Sequence, residues 1–183
     1  MRYQTVTLPA YAPVLQILGQ RDSSRLQHYR AEDFKDKTVL DVGCASGMDS
    51  IWIAATFQAK RITGIDVDAD CLAEARLLAQ IWNVGERADF SGEPPWGRQF
   101  DVIIVNSIAK WFDGTPFVPP LPRCVVGCKP AVVYVESHSE DDRWTNDLLE
   151  DLRREGFNFD LLSMLTYTIA DPRPIRRFFR GTK

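Results

Sequence analysis

Asp41, Gly43, Gly47 and Asp66 are the residues whose types and spacing could do chemistry in this chain. Asp41 lies in an apolar run, Thr38 to Val42, which breaks at Gly43-Cys44-Ala45-Ser46-Gly47. The run resumes at helical spacing with Met48, Ile51, Trp52 and Ala55. A buried strand that turns through two glycines into a helix makes a ligand crevice. Glycine lets backbone approach a ligand closely, and the start of the helix offers unpaired N–H groups to an anion. Asp66 ends a second short strand, Arg61-Ile-Thr-Gly-Ile, 25 residues after Asp41. An acid at that tip is placed to accept both hydrogen bonds of a ribose diol. The two tips together predict a nucleoside or dinucleotide site.

Two ligands compete for it, a nicotinamide cofactor and S-adenosylmethionine. A dinucleotide fingerprint is G-x-G-x-x-G, tight enough for a pyrophosphate. Here the run is Gly43-Cys-Ala-Ser-Gly47, with no third glycine in register and with Asp41 two residues before the first. A carboxylate beside the turn repels a pyrophosphate and suits a ligand with an amino group and a cationic sulfur.

On these residues the chain resembles the class I S-adenosylmethionine-dependent methyltransferases. Val39-Leu-Asp-Val-Gly-Cys-Ala-Ser-Gly47 is similar to their first motif, V-L-D-x-G-C-G-x-G, with Ala45 replacing the middle glycine. Gly64-Ile-Asp-Val-Asp68 resembles the second, and Phe100-Asp-Val-Ile-Ile-Val105 the fourth. The resemblance covers residues 37–136 and implies roles by position. Asp41, Gly43, Cys44, Ala45 and Gly47 would form the pocket for the methionine part. Asp66 would hold the ribose hydroxyls and Val67 would pack on the adenine. Asp89, with Phe90, would recognise the adenine edge. Asn106, after the fourth motif, and Tyr29, from the leading segment, would complete the lining. The cofactor implied is S-adenosylmethionine, with S-adenosylhomocysteine as product.

Methyl transfer from a sulfonium needs alignment more than a universal catalytic side chain. Acceptor residues are expected after the fourth and fifth strands. Asn106-Ser107-Ile-Ala-Lys110-Trp111 is not the Asn/Asp-Pro-Pro-Tyr/Phe signature of enzymes that methylate amino groups on adenine or glutamine. Its Ser-x-x-Lys-Trp run resembles a segment of RNA phosphate-capping methyltransferases. Lys110 is a candidate for binding a carboxylate or phosphate, against a solvated surface lysine. His138, in Glu136-Ser-His-Ser-Glu140, is a candidate general base, against a plain loop histidine. The expected acceptor is a small molecule or an RNA end. The alternatives are a nicotinamide-dependent oxidoreductase and a non-catalytic S-adenosylmethionine-binding partner subunit.

These residues must be positioned by strands alternating with helices. The periodicity predicts strands near 38–42, 61–66, 87–90, 100–105, 131–136, 157–168 and 175–180, and helices over Ala69–Asn83 and around Trp144 to Leu152. The last two strands are joined by Ala-Asp-Pro-Arg-Pro with no helix between them. The expected fold is α/β: a doubly wound, mostly parallel seven-stranded sheet with one antiparallel strand near the C-terminus and helices on both faces. The chain reads as one domain, 1–183. Residues 1–36 would form a helical cover, over the crevice or against the sheet edge, and residues 37–183 the sheet core. Four prolines between Pro116 and Pro122 exclude a long regular helix there.

Composition is that of a globular protein, 45% hydrophobic and 26% charged, with a net charge of −3. That balance argues against non-specific coating of nucleic acid. Between Arg173 and Lys183 there are five cations and no acid, a local basic run. No apolar run reaches membrane-spanning length, and Met1-Arg-Tyr-Gln-Thr is no signal peptide, so a cytoplasmic setting is expected. The cysteines, Cys44, Cys71, Cys124 and Cys128, are then expected as free thiols. Cys124-x3-Cys128 lacks a second ligand pair, so no metal is expected. A partner subunit or a homodimer is compatible with so short a chain.

Overall fold

The computed structural model describes Leu26 and residues 28–106, 121–137, 143–165 and 176–183. Most of the expected helical cover, residues 1–25, and the candidates Lys110 and His138 lie outside the described residues.

A short helix, Ala31–Phe34 (α1), leads into strand Thr38–Val42 (β1). Helix Met48–Thr56 (α2) follows the glycine loop, then strand Arg61–Ile65 (β2), helix Ala69–Ile81 (α3) and strand Ala88–Ser91 (β3). Strand Val102–Asn106 (β4), helix Leu121–Gly127 (α4), strand Val132–Ser137 (β5) and helix Arg143–Arg154 (α5) continue the alternation. Strands Asn158–Leu165 (β6) and Arg176–Thr182 (β7) complete it. Helix α4 is an addition to the sequence reading. Pro122 occupies its first turn, where a missing N–H costs no hydrogen bond.

The seven strands form one sheet in the order β3-β2-β1-β4-β5-β7-β6. Strands β3 to β5 are mutually parallel, and β7 runs antiparallel to both β5 and β6. The order reverses at β1, between β2 and β4. That is the switch point beside which open α/β sheets bind ligands.

Period-two alternation sorts the strand residues between two apolar layers. Val39, Ile62, Ile104 and Tyr134 pack with Ile51, Ile53 and Ala54 of α2 and with Leu72, Ala75 and Ala79 of α3. Leu40, Val42, Ile103, Val105 and Val133 pack on the other face with Val125 of α4 and with Leu148, Leu149 and Leu152 of α5. Burial on both faces explains why β1 and β4 read as continuous apolar runs.

The segment before β1 is fastened to the far half of the sheet. The Arg180 guanidinium on β7 grips the Asp33 carboxylate through Nε and Nη2, both at 2.7 Å, and the Tyr134 hydroxyl donates to the same carboxylate at 2.6 Å. Both members of the ion pair are largely buried. Burial would raise the Asp33 pKa, but the Arg180 and Tyr134 hydrogen bonds outweigh it and hold the carboxyl below its usual value. Phe34 stacks on Tyr134, and Tyr29 meets both rings edge-on.

Candidate functional site

The glycine loop leaves β1 at the sheet's carboxyl edge. Gly43 and Cys44 both donate backbone N–H groups to the Ile65 carbonyl, at 2.8 and 3.0 Å, which ties the loop to the tip of β2. Three loop residues are left-handed: Gly43 at φ 72°, Ala45 at 47° and Gly47 at 73°. Gly47 is required twice over. An added Cβ would lie 2.6 Å from Phe90 Cε1 and 3.0 Å from Ala75 Cβ, besides holding a strained φ. Ala45 takes the same region without glycine, at a cost of about 1 kcal/mol.

Asp66 follows β2 directly. Its carboxylate accepts the Ala45 N–H at 2.8 Å and the Asp68 N–H at 3.0 Å, at an exposed position. Asp68 in turn caps α3 by accepting from Asp70 and Cys71, which lowers its pKa. Val67, between the two acids, is 73% exposed, an apolar side chain standing free on the rim.

Asp41 is placed differently. It is 3% exposed, and its Oδ2 accepts the Ser50 hydroxyl at 2.7 Å. The carboxylate braces the start of α2 from beneath the loop. Cys44 is buried beside it. Burial, then the charges of Asp41 and Asp66, push its thiol well above the ordinary range, so it is no nucleophile.

A second group sits at the tips of β1 and β4. The Tyr29 hydroxyl donates to Asp49 Oδ2 at 2.9 Å, and Asn106 Nδ2 lies 2.8 Å from the same oxygen and 2.6 Å from the Tyr29 hydroxyl. Tyr29 and Asn106, 77 residues apart, are thereby brought together. Asp49 was passed over in the sequence because its helix was read only for apolar spacing. Its signal was an acid in the first turn of a helix that begins at the carboxyl edge.

Two sequence assignments are corrected. Phe90 is buried at 6% exposure, with its ring beneath Gly47 and Gly64, so it is core packing under the loop and not an adenine contact. Asp89 points to the opposite face of β3, as strand alternation demands. Its carboxylate pairs with Arg61 at 3.0 Å and with Thr63 Oγ1 at 3.3 Å, back from the rim. The position beside Asp66 belongs instead to Ser91, whose carbonyl accepts the Asp66 N–H at 3.3 Å and whose hydroxyl accepts the Glu93 N–H at 3.0 Å. The strand's last residue, and not its acid, was the signal for the rim.

The donor set fits an adenosyl ligand. An exposed carboxylate at the β2 tip, an apolar rim residue beside it and a loop of left-handed residues stand together at the switch point. A pyrophosphate would meet Asp66, Asp68 and, behind the loop, Asp41.

Residues 40–120 match the family model described as a methyltransferase domain. The fold is the one that class I, Rossmann-like methyltransferases of solved structure also have. Among curated proteins, the ribosomal protein L11 methyltransferase of Haemophilus influenzae (strain PittEE) is 37% identical over 79 residues, 42% of this chain and 26% of that protein. The chain thus spans about a quarter of the length of the curated relatives it matches. Among solved structures, precorrin-6y C5,15-methyltransferase from Geobacter metallireducens superposes with a TM-score of 0.63 at 14% identity, covering 90% of this chain and 89% of that one. Magnesium protoporphyrin IX methyltransferase from Synechocystis PCC 6803, solved with bound S-adenosylmethionine, gives 0.63 at 14% identity over 97% of this chain and 85% of that one. Among the described residues no helix is long and apolar enough to cross a membrane.

Proposed function

We propose that the chain binds S-adenosylmethionine across the carboxyl edge of the sheet and transfers its methyl group to a small-molecule or RNA-end acceptor. One observation carries the reading: the Asp66 carboxylate, held by the Ala45 and Asp68 N–H groups at the β2 tip, beside exposed Val67. Two N–H groups fix its orientation, and its remaining lone pairs suit two ribose hydroxyls. The acidic surroundings, with Asp49 and Asp41 near the loop, favour a ligand with a positive sulfur and an ammonium group. Bound there, S-adenosylmethionine supplies an electrophilic methyl group.

The chain's own part is positional. The bonded loop sets one wall, and the Tyr29–Asp49–Asn106 group sets the floor between β1 and β4. Asn106 keeps its side-chain oxygen for a ligand donor. His138 is proposed to take a proton from the acceptor where one must leave, and Lys110 to hold an anionic acceptor group. Asp41 acts through Ser50 and the helix start, as a positioning residue.

Calorimetry with S-adenosylmethionine and S-adenosylhomocysteine, on wild type and Asp66→Ala, tests the reading. Loss of the charged hydrogen-bond pair should cost about 1.5–3 kcal/mol, roughly ten- to a hundredfold in affinity. Tight binding of NAD with no binding of either sulfur ligand would overturn it. Product binding with no turnover across an acceptor screen would select the non-catalytic subunit.

A further inference from the structure

Charge is sorted between the two edges of the sheet. The chain has six lysines: Lys35, Lys37, Lys60, Lys110, Lys129 and Lys183. All but Lys110, which lies outside the described residues, fall on the amino-terminal edge, opposite the cofactor cleft. Lys35 and Lys37 precede β1, Lys60 precedes β2, Lys129 precedes β5 and Lys183 follows β7. Arg87, before β3, extends the row. Backbone contacts make it continuous: Lys60 N–H donates to the Lys37 carbonyl at 2.9 Å, Ile62 N–H to the Arg87 carbonyl at 2.7 Å, and Lys183 N–H to the Ala131 carbonyl at 3.4 Å. Along the order β3-β2-β1-β4-β5-β7 the row spans five strand spacings, roughly 24 Å.

Helix ends account for part of it, since Lys35 is the C-cap of α1 and Lys129 lies two residues beyond α4. The C-termini of α2 and α3 do point to this edge, and cations favour such ends. That effect falls off within the last turn, yet Lys60 lies four residues beyond Thr56 and Arg87 six beyond Ile81. Among the described residues, Lys35, Lys37, Lys60, Arg87 and Lys129 make no side-chain hydrogen bond to a helix end or ion pair with an acid. The acids on this edge are Asp36, Glu86, Asp101 and Glu155. Asp101 accepts from Thr38, through both N–H and Oγ1 at 2.8 Å, and lies in the field of Lys37 and Lys60, while Asp36, Glu86 and Glu155 stand exposed. Between Lys60 and Arg87 the edge opens into a depression of about 600 Å³, lined also by Asp36, Ala55, Gln58 and Ala59.

We infer that this edge is a second binding surface, fitted to the phosphate backbone of a single-stranded nucleic acid. A line of compact point charges, about one per strand and without a bidentate fork, suits regularly spaced phosphates and reads no bases. Two walls of charge, as a duplex groove would need, are not present among the described residues. The net charge of −3 opposes coating of nucleic acid, but it averages an acidic rim with a basic edge. The local field is what a polymer strand meets.

The test is fluorescence anisotropy with labelled oligouridylate and oligothymidylate of about 12 nucleotides, titrated between about 50 and 200 mM salt. With about four phosphates engaged, the log–log slope of affinity against salt is expected near −3. The variant Lys35→Gln/Lys37→Gln/Lys60→Gln should flatten that slope by about 2 and lose at least tenfold in affinity at the low-salt end. Arg143→Gln, at the start of α5 on the opposite edge, is the control and should change neither. Circular dichroism melts and S-adenosylhomocysteine affinity should stay at wild-type values, so the outcome is independent of the cleft. Absence of binding by wild type at about 50 mM salt, or a triple variant with unchanged slope, would overturn the proposal, as would a lowered melting temperature with unaltered oligonucleotide binding. Tighter binding of an acidic polypeptide such as polyglutamate than of either oligonucleotide would also overturn it.

Discussion

The carboxyl and amino edges of this sheet are made from the same strands and differ in construction. At the carboxyl edge every acid discussed is held: Asp41 by Ser50, Asp49 by Tyr29 and Asn106, Asp66 by two backbone N–H groups, Asp68 by the start of α3. At the amino edge, among the described residues, Lys35, Lys37, Lys60 and Lys129 extend without a side-chain hydrogen bond or ion pair, and Lys183 rests over the Phe157 ring. A parallel sheet gathers helix N-termini at one edge and C-termini at the other, so some sorting of charge comes with the fold. The difference in bonding does not. Bonded acids make a shaped site for a small ligand, whereas loose lysines make a field for an extended one.

Perturbations on either edge can be ranked against the interior ion pair, which sets the top of the scale. Arg180→Met should destabilise the fold by about 3–5 kcal/mol in urea titrations, because it leaves Asp33 buried without its cation. The pH dependence is defined. Because Asp33 is held below its usual pKa, its contribution is complete above about pH 4 and is lost as pH falls through the folded value. The penalty of Arg180→Met should therefore shrink in acid. A penalty constant from pH 7 to pH 3 would reject this account. Gly47→Ala comes next, at about 2–4 kcal/mol in the same assay, from the Phe90 clash and the left-handed backbone. It breaks the carboxyl edge as a structure, where Asp66→Ala should weaken the ligand and leave the melting temperature within a few degrees.

The amino edge should respond least. Lys60→Gln alone is expected to change stability by less than about 0.5 kcal/mol, and a larger loss would mean that the lysine is part of the fold. Thiol titration gives a last distinction. Cys44, Cys124 and Cys128 are buried and Cys71 is half-exposed. Burial, then the neighbouring Cys128, pushes Cys124 up to about 11. Burial and then the Asp68 charge also raise the Cys71 pKa, so one thiol per chain, Cys71 at the start of α3, should react with a disulfide reagent in the folded state, faster as pH rises, and the other three only on unfolding.

Most of the fold was legible because two-sided burial turns strands into apolar runs: Val39-Leu40 and Val102 to Val105 could belong to little else. The antiparallel strand followed from the missing helix between β6 and β7. Helix α4 was hidden by Pro122 and the prolines before it in the sequence, since composition alone cannot say that Pro122 falls in a first turn. The places of the loop and of Asp66 at the carboxyl edge were legible because glycine spacing and a strand-ending acid are local facts. The placement of Asp89 and Phe90 was not legible, because the face of a strand residue depends on register with its neighbour, and Gly64 opposite Phe90 is what admits the ring. The meeting of Tyr29, Asp49 and Asn106 is a product of topology and has no local signature.

The strand order has a consequence for how the molecule is made. Strand β7 is the last of the seven to be synthesised, yet it lies between β5 and β6, and among the described strands β6 bonds to β7 alone. During translation β1 to β5 can assemble while β6 waits as an open edge. The ribosome must release residues 176–182 before that edge is sealed, and Arg180, arriving with them, is also what locks Asp33. The two ends of the described chain are therefore joined in a single late event, and a nascent chain stalled short of it should remain open to proteases at its leading segment.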